Sequence, residues 1–284
     1  MVLEGKELAE KLIQLAILED IGDGDHTSLA CVPENTRGEA RLLVKQDGIL
    51  AGVAVAEQIC KLVSPDLSLE IYLKDGQIIH SGEIVFRVQG PEVKILQAER
   101  LILNFMQRMS GIATQTNRLV RMVAHTRVTL LDTRKTTPGF RWFEKEAVKI
   151  GGGRNHRFGL YDMVMIKDNH VDYAGGIKPA LEKVFSYLSR TNRMLPIEIE
   201  VRNFGELEEV LSIGKVQRIM LDNFSITDLT QAVKLIGNRF ESEASGGINE
   251  GNLVQYAETD VQFISIGALT HQVKSLDLSL KAVI

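Results

Sequence analysis

Leu8, Leu12 and Leu15 recur at helical spacing among acidic and basic residues, which predicts an amphipathic helix over the first twenty positions. The period then changes. Residues 39–46, 69–74 and 83–89 have β character, and the QDG, KDG and SGE turns supply the Gly and Asp that tight reversals require. Pro91 opens a long helical region in which Ala98, Leu101, Ile102, Phe105 and Met109 share an apolar face. Gly111 is expected to break or bend it before a second helix running through Val123. From about residue 127 short aliphatic runs alternate with helical stretches. The runs are 128–132, 163–168, 197–201, 218–223, 239–245 and 262–267, with helices such as 204–213 and 227–236 between them. This repetition implies parallel strands joined by crossovers. No GxGxxG follows the first strand, so a barrel-like sheet of about six strands is preferred to a dinucleotide fold. Alternating Leu276, Leu278 and Leu280 mark a half-buried strand expected to return to the first domain.

Composition narrows the class. In 284 residues, 44% are hydrophobic and 25% charged, which suits a globular chain and excludes disorder and low complexity. Thirty-three Lys and Arg against 37 Asp and Glu give a net charge of -4, without the basic excess of a nucleic-acid binder. Cys31 and Cys60 lie far apart and outside any metal-ligand spacing, which fits a reducing compartment, and both are read as small core hydrophobes. No run approaches the length of a membrane span, and a cytoplasmic location is expected. Asp20, Asp23 and Asp25 lack the mid-loop Gly and terminal Glu of a calcium loop and are read as a turn and helix cap.

Candidate chemistry gathers where the second series of strands ends, the place where a β/α barrel builds its site. The ends carry Asp132-Thr133-Arg134-Lys135, Lys167-Asp168-Asn169-His170, Glu200, Asp222-Asn223, Ser245-Gly246-Gly247 and Gly267. Between Asp132 and His170 eight basic residues face five acidic ones, inside a chain of net negative charge. Arg141, Lys145 and Lys149 read as the solvated edge of a helix that buries Phe143, Ala147 and Ile150. Arg134, Lys135, His156, Arg157 and Lys167 fall in loops or at strand termini and would suit a dicarboxylate. Glu200 and Asp222 suit ribose hydroxyls or a divalent metal, and the glycines at 246, 247 and 267 offer backbone N–H groups to a phosphate. Gly151 reads as a helix cap, the rest of GGG as a close approach to ligand, and Thr137-Pro138 as a helix start.

The stretch DTRKTTPGFRWFEKEAVKIGGGRNHRFGLYDMVMIKDNH resembles the signature region of the quinolinate phosphoribosyltransferase family, also called nicotinate-nucleotide pyrophosphorylase (carboxylating). The resemblance extends through EDIGDGDHTS, GILAGVAVAE, AERLILNFMQRMSGIAT, EIEV, LDNF, EASGGI and ISIGALTH. It implies an N-terminal α/β sandwich domain over residues 1–112, with 272–284 returning to it, and an incomplete α/β barrel over 113–271. It also implies a reaction in which quinolinate and phosphoribosyl pyrophosphate, with magnesium, give nicotinate mononucleotide, pyrophosphate and carbon dioxide for NAD synthesis. Carried over by motif, Arg134, His156, Arg157 and Lys167 would hold the quinolinate carboxylates, with Thr133 and His271 in the substrate set. Lys135 would lie between the substrates, Glu200 and Asp222 would serve ribose and metal, and Ser245, Gly246, Gly247 and Gly267 would take the 5-phosphate. Lys135, Glu200 and Asp222 form the expected catalytic set. Arg100 would reach the neighbouring subunit's site, in a homodimer or higher oligomer.

Two positions depart from the pattern: Asp260 stands where a Gly is expected and Ser242 where an aliphatic is, both expected in loops or at strand edges. Two rivals remain at this level. One is the pyrophosphorylase-like protein found with molybdate transport, which the intact DTRKT, NHR and KDNH disfavour. The other is a non-catalytic binding barrel, which joint retention of Lys135, Lys167, Glu200 and Asp222 disfavours.

Overall fold

The structure, a computed structural model, describes residues 5–283. These divide into two compact units, one of residues 5–118, 135–152 and 269–283, the other of 119–134 and 153–268.

The first unit begins with α1 (Gly5–Ile21) and α2 (His26–Cys31), which Asp25 caps by accepting from Ser28 N. Then follow β1 (Arg37–Val44), β2 (Gly48–Ile49), α3 (Val53–Val63), β3 (Ser68–Ile71), β4 (Ile78–Ile79), β5 (Ile84–Pro91) and α4 (Glu92–Met122). Its main sheet has the order β12-β1-β5-β3, where β12 spans Leu278–Ala282, and all its pairings are antiparallel. Leu42 stands level with Phe86 on one side and Leu280 on the other, so alternate apolar residues meet across the sheet. The polar alternates Glu39, Arg41 and Arg87 pair on the other face.

Four expectations change here. In α1 the buried residues are Ala9 and Ile13, while Leu8 is 42% and Leu15 61% exposed and Leu12 is half-buried, so the leucine stripe lies at the margin of the buried face rather than at its centre. Gly111 does not interrupt α4. A Cβ there would stand 2.2 Å from Lys274 O, so this glycine serves a backbone crossing rather than a bend. Gly151 caps α5 (Arg141–Ile150) as expected, and a Cβ there would stand 2.5 Å from Ala113 O. The helix starts at Arg141 rather than at Pro138, and Lys145, expected on its solvated edge, is buried together with Glu144. Phe143 packs against Phe105 and Phe140, with centroids 4.7 and 4.8 Å away, and Glu144, Ala147 and Val148 are buried too, so the helix is enclosed on more than one face and residues 135–152 group with the first unit.

The second unit holds β6 (Thr129–Leu131), β7 (Val164–Ile166), α6 (Asp168–Ala174), α7 (Ile177–Arg190), β8 (Ile197–Val201), α8 (Phe204–Ile213), β9 (Arg218–Asp222), α9 (Ile226–Ile236), β10 (Glu241–Ser245), α10 (Leu253–Ala257) and β11 (Phe263–Ser265), with α11 (Ala268–His271) following. Its six strands are parallel in the order β6-β11-β10-β9-β8-β7. This is the open, barrel-like α/β sheet that the alternation predicts, with β6 and β7 at its two ends. Residues Ile197, Ile199, Ile219, Leu221 and Ala244 lie on the helix-covered face and are buried. The opposite face carries Glu198, Glu200, Arg218, Asp222 and Glu243. Ser242 lies within buried β10, not at an edge: its backbone and hydroxyl trade hydrogen bonds with Gln262, which makes a polar residue tolerable there. Asp260 occupies a turn at φ 64°, a conformation that favours glycine.

Candidate active site

All six parallel strands end in the same direction, so their C-terminal ends form a row. Along it stand Thr133 and Arg134 after β6, Gly267 after β11, Ser245 on β10, Asp222 on β9, Glu200 on β8 and Lys167 after β7. The structure thus brings together the second unit's share of the expected site. Lys135, Arg100 and His271 belong to the first unit, where all three are exposed.

Lys167 closes β7 and caps α6, its backbone N–H donating to His170 Nδ1 at 2.9 Å. Asp168 accepts from Asn169 N. The KDNH run therefore builds the helix start that aims Lys167. Its Nζ donates to Glu200 Oε2 at 2.7 Å, and Glu200 is buried while the lysine is 45% exposed on its side chain. Asp222, on the adjacent strand, accepts from Asn223 Nδ2 at 2.6 Å. Asn223 holds φ 55°, and its backbone N–H donates to Ser245 O, which ties two strand ends together. Gly246 and Gly247 take φ values of 93° and 63°. A Cβ on Gly246 would stand 2.2 Å from Asn223 Oδ1, so this turn requires glycine for both reasons. The next helix begins at Leu253, six residues beyond Gly247, so the glycines present turn amides rather than a helix N-terminus.

The residues 153–157 run beside β6. Arg154 N donates to Leu130 O and Asp132 N to Arg154 O, which adds a short parallel bridge at that end of the sheet. Asp132, fully buried, accepts from His156 N at 2.8 Å. Its part is to hold this segment in place. Arg157 donates to Met163 O at 3.2 Å. Burial, with the positive charge of Arg134 nearby, lowers the Arg157 pKa, so two guanidinium groups share a region that favours an anion with more than one negative group.

His156 lies elsewhere than its expected role suggests. It is 7% exposed, its Nδ1 accepts from Arg157 N at 2.7 Å, and its Nε2 is 3.0 Å from Glu198 Oε2 and 3.3 Å from Glu243 Oε2. Both ring nitrogens are engaged within the protein, so the ring anchors Arg157 from below. Arg218 completes the cluster, donating to Glu243 at 2.9 Å and stacking 4.1 Å from the centroid of Phe263. Burial works against a charged His156, but the two carboxylates outweigh it and push its pKa up to about 9. Burial and the charge of Glu243 raise Glu198; hydrogen bonding to His156 lowers Glu243 against the burial that would raise it. Because Nδ1 accepts from the Arg157 amide, Nε2 is the nitrogen that presents its N–H toward Glu198 and Glu243. The trio's atoms lie close enough to surround one ion, yet a protonated Nε2 has no lone pair to offer a metal. Glu198, Glu243 and Arg218 are not visible as site-builders in the sequence, where IEIEV and RFESEAS read as ordinary alternating strands.

Family models match most of the chain. The quinolinate phosphoribosyl transferase N-terminal domain matches residues 25–110 and the C-terminal domain of the same family residues 112–281. A quinolinate phosphoribosyltransferase [decarboxylating] of Nicotiana tabacum is 47% identical over 95% of this chain and 81% of its own length. A probable nicotinate-nucleotide pyrophosphorylase [carboxylating] of Bacillus subtilis is 41% identical over 95% and 92%. The solved nicotinate-nucleotide pyrophosphorylase of Francisella tularensis superposes with a TM-score of 0.91 at 37% identity, covering 99% of this chain and 98% of that one. With the open six-stranded sheet and its row of strand-end side chains, these likenesses identify the chain as a member of the quinolinate phosphoribosyl transferase family.

Proposed function

We propose that the chain catalyses the transfer of a phosphoribosyl group from phosphoribosyl pyrophosphate to quinolinate, with loss of carbon dioxide, giving nicotinate mononucleotide and pyrophosphate for NAD synthesis. The observation that carries the reading is the pairing of Arg134 and Arg157, mutually close cations, with a strand-end row that also holds Lys167, Glu200 and Asp222. Arg134, Arg157 and Lys167 bind the two carboxylates, with His156 setting the backbone of Arg157. The pyridine nitrogen is held against the anomeric carbon, and the bond to pyrophosphate breaks as positive charge develops on the ribose. Glu200 and Asp222 stabilise that charge. Lys135 lies between the substrates, and Ser245, Gly246, Gly247 and Gly267 take the 5-phosphate, with Thr133 and His271 beside them. Once quaternary, the ring nitrogen accepts the electron pair left by the departing carboxylate, and the ring carbon then takes up a proton.

Magnesium fits the donor set. Glu200 and Asp222 offer hard oxygen ligands on adjacent strands, leaving the remaining positions to water and phosphate oxygens. When bound it would neutralise charge on the leaving pyrophosphate. The chain is further proposed to act as a homodimer or higher oligomer in which Arg100 completes the neighbour's site. Arg100 stands exposed on α4, and in the same unit Leu15 and Leu18 are 61% and 66% exposed, an apolar stripe suited to contact. Mixing Arg100→Ala with Lys167→Ala protein should then restore activity that neither has alone. No helix among the described residues is long and apolar enough to cross a membrane. Cys60 is buried as expected of a core thiol while Cys31 is exposed; neither is in a disulfide, which suits the cytoplasm proposed for the chain, although relatives from rice and tobacco are named chloroplastic and mitochondrial.

Release of carbon dioxide from carboxyl-labelled quinolinate is the test. Release that requires both phosphoribosyl pyrophosphate and magnesium supports the reading; quinolinate binding without release would make the chain a binding barrel instead.

A further inference from the structure

We infer that Arg108 and Glu144 are positioning residues for Lys135 and His271, an inference that rests on the reaction proposed above. Glu144 has no exposed surface and accepts four hydrogen bonds: from Arg108 Nε at 3.1 Å and Nη2 at 2.8 Å, and from Thr137 N at 3.0 Å and Oγ1 at 2.9 Å. Arg108 spends its remaining capacity on the far side, donating from Nη1 to Val273 O at 3.0 Å and from Nη2 to Thr270 O. Thr270 in turn donates its hydroxyl to Lys135 O at 2.7 Å. One ion pair thus joins four stretches of chain within the first unit: α4, α5, the 135–137 segment and the 270–273 segment.

The arrangement bears on Lys135 from both sides. Its carbonyl is held by Thr270, and two residues further on Thr137 is held through both its amide and its hydroxyl. Lys135 is exposed, and this clamp fixes the backbone from which its side chain departs. His271 is adjacent to Thr270, whose carbonyl Arg108 holds, so the same guanidinium governs where the second residue stands. A pair whose only task were to join α4 to α5 could be replaced by apolar side chains of similar volume. A carboxylate that also takes up both Thr137 donors instead fixes a backbone path. The absence of regular structure over 132–137 makes that path dependent on side-chain bonds.

Glu144→Gln keeps the shape and an acceptor but removes the charge that orients Arg108; Thr270→Val removes the hydroxyl that donates to Lys135 O. Wild-type carbon dioxide release is measured first, because its absence would defeat the proposed reaction and leave this inference without an activity to act on. In an active enzyme, Glu144→Gln should lower kcat/KM by about 10- to 100-fold and Thr270→Val by about 3- to 10-fold. Quinolinate affinity without the second substrate, which depends on Arg134, Arg157 and Lys167, should stay within about twofold in both variants. In a Lys135→Ala background, where the clamped side chain is already gone, the residual turnover measured over hours should fall by less than about twofold on adding Thr270→Val. Thr270→Val with wild-type turnover overturns the inference, as does a loss that multiplies in full with Lys135→Ala. If Glu144→Gln fails to fold, Thr270→Val and its double mutant decide the matter alone.

Discussion

Replacing Glu243 by Gln removes one charge from the buried cluster while preserving side-chain shape. In the native chain Glu243 Oε2 receives Arg218 Nη1 at 2.9 Å and lies 3.3 Å from His156 Nε2, with no solvent exposure. The variant leaves Arg218 with Glu241, itself 48% exposed, and leaves His156 with Glu198 alone. Against the burial of His156, Glu198 and Glu243 lift it from the ordinary histidine value of 6.5 to about 9, a net gain of about 3 kcal/mol. Gln withdraws one of the two carboxylates from His156 and also breaks the buried pair with Arg218, and breaking a buried pair costs about 3 kcal/mol at the lower edge. At about 2 to 4 °C per kcal/mol the Tm should fall by roughly 6 to 12 °C. The sign of the pH dependence follows from a folded-state pKa above the unfolded one. The proton-linked share is fully present below about 6.5 and is lost as pH rises through about 9. Thermal melts of both proteins at pH 6, 8 and 10 should therefore show the Tm gap widest at pH 6 and narrower at pH 10. An equal gap at both ends, or a variant as stable as the native chain at pH 6, would refute a proton-linked cluster.

Three further outcomes test the site. Lys167→Ala or Glu200→Ala should abolish turnover with the circular dichroism spectrum unchanged, since their 2.7 Å pair stands at the strand ends; full activity would remove that residue from the site. Arg157→Ala, losing a charged hydrogen bond to a carboxylate, should raise the KM for quinolinate by about 10- to 100-fold with less effect on phosphoribosyl pyrophosphate, and steady-state kinetics would show the reverse if Arg157 served the phosphates. Gly246→Ala forces a Cβ to 2.2 Å from Asn223 Oδ1 at φ 93° and should weaken phosphoribosyl pyrophosphate binding in calorimetry while sparing quinolinate; unaltered binding of both would detach this turn from the phosphate.

Much of the barrel is legible in the sequence because its signal is period and order. Each aliphatic run from 128 to 267 overlaps an observed strand, and the strand-end residues Arg134, Lys167, Glu200, Asp222 and Ser245 emerge in a row because parallel strands must end on one side. Facing is less legible. Leu8 and Leu15 satisfy helical spacing as well as Ala9 and Ile13 do, and only the partner surface decides which pair is buried. Charge alone places Lys145 in solvent, and propensity alone makes Gly111 a helix break. The first lies in a helix that tertiary packing encloses on more than one face, with Phe143, Glu144, Ala147 and Val148 buried as well; the second is explained by a carbonyl 163 positions away in sequence, at Lys274. Neither cause is local, so neither leaves a local mark.

The ionic face of the open sheet shows why alternation alone misleads. A strand reading Ile-Glu-Ile-Glu-Val matches an antiparallel sheet with one wet face, yet β8 is buried along its whole length. Its glutamates divide by level. Glu198, near the start of the strand, is neutralised in the cluster with His156, Glu243 and Arg218, whereas Glu200 lies two residues on, about 7 Å further along, and meets Lys167. Because the deeper level balances its own charges, it adds little net field at the strand ends. The field there is then set by Arg134, Arg157 and Lys167 against Glu200 and Asp222, a balance that leaves a net attraction for anions while keeping two carboxylates beside the place where a cationic ribose would form. His156 connects the two levels, because the same ring that closes the lower cluster receives the backbone amide of Arg157. Loss of the lower charges would thus reach the substrate site through the position of one arginine.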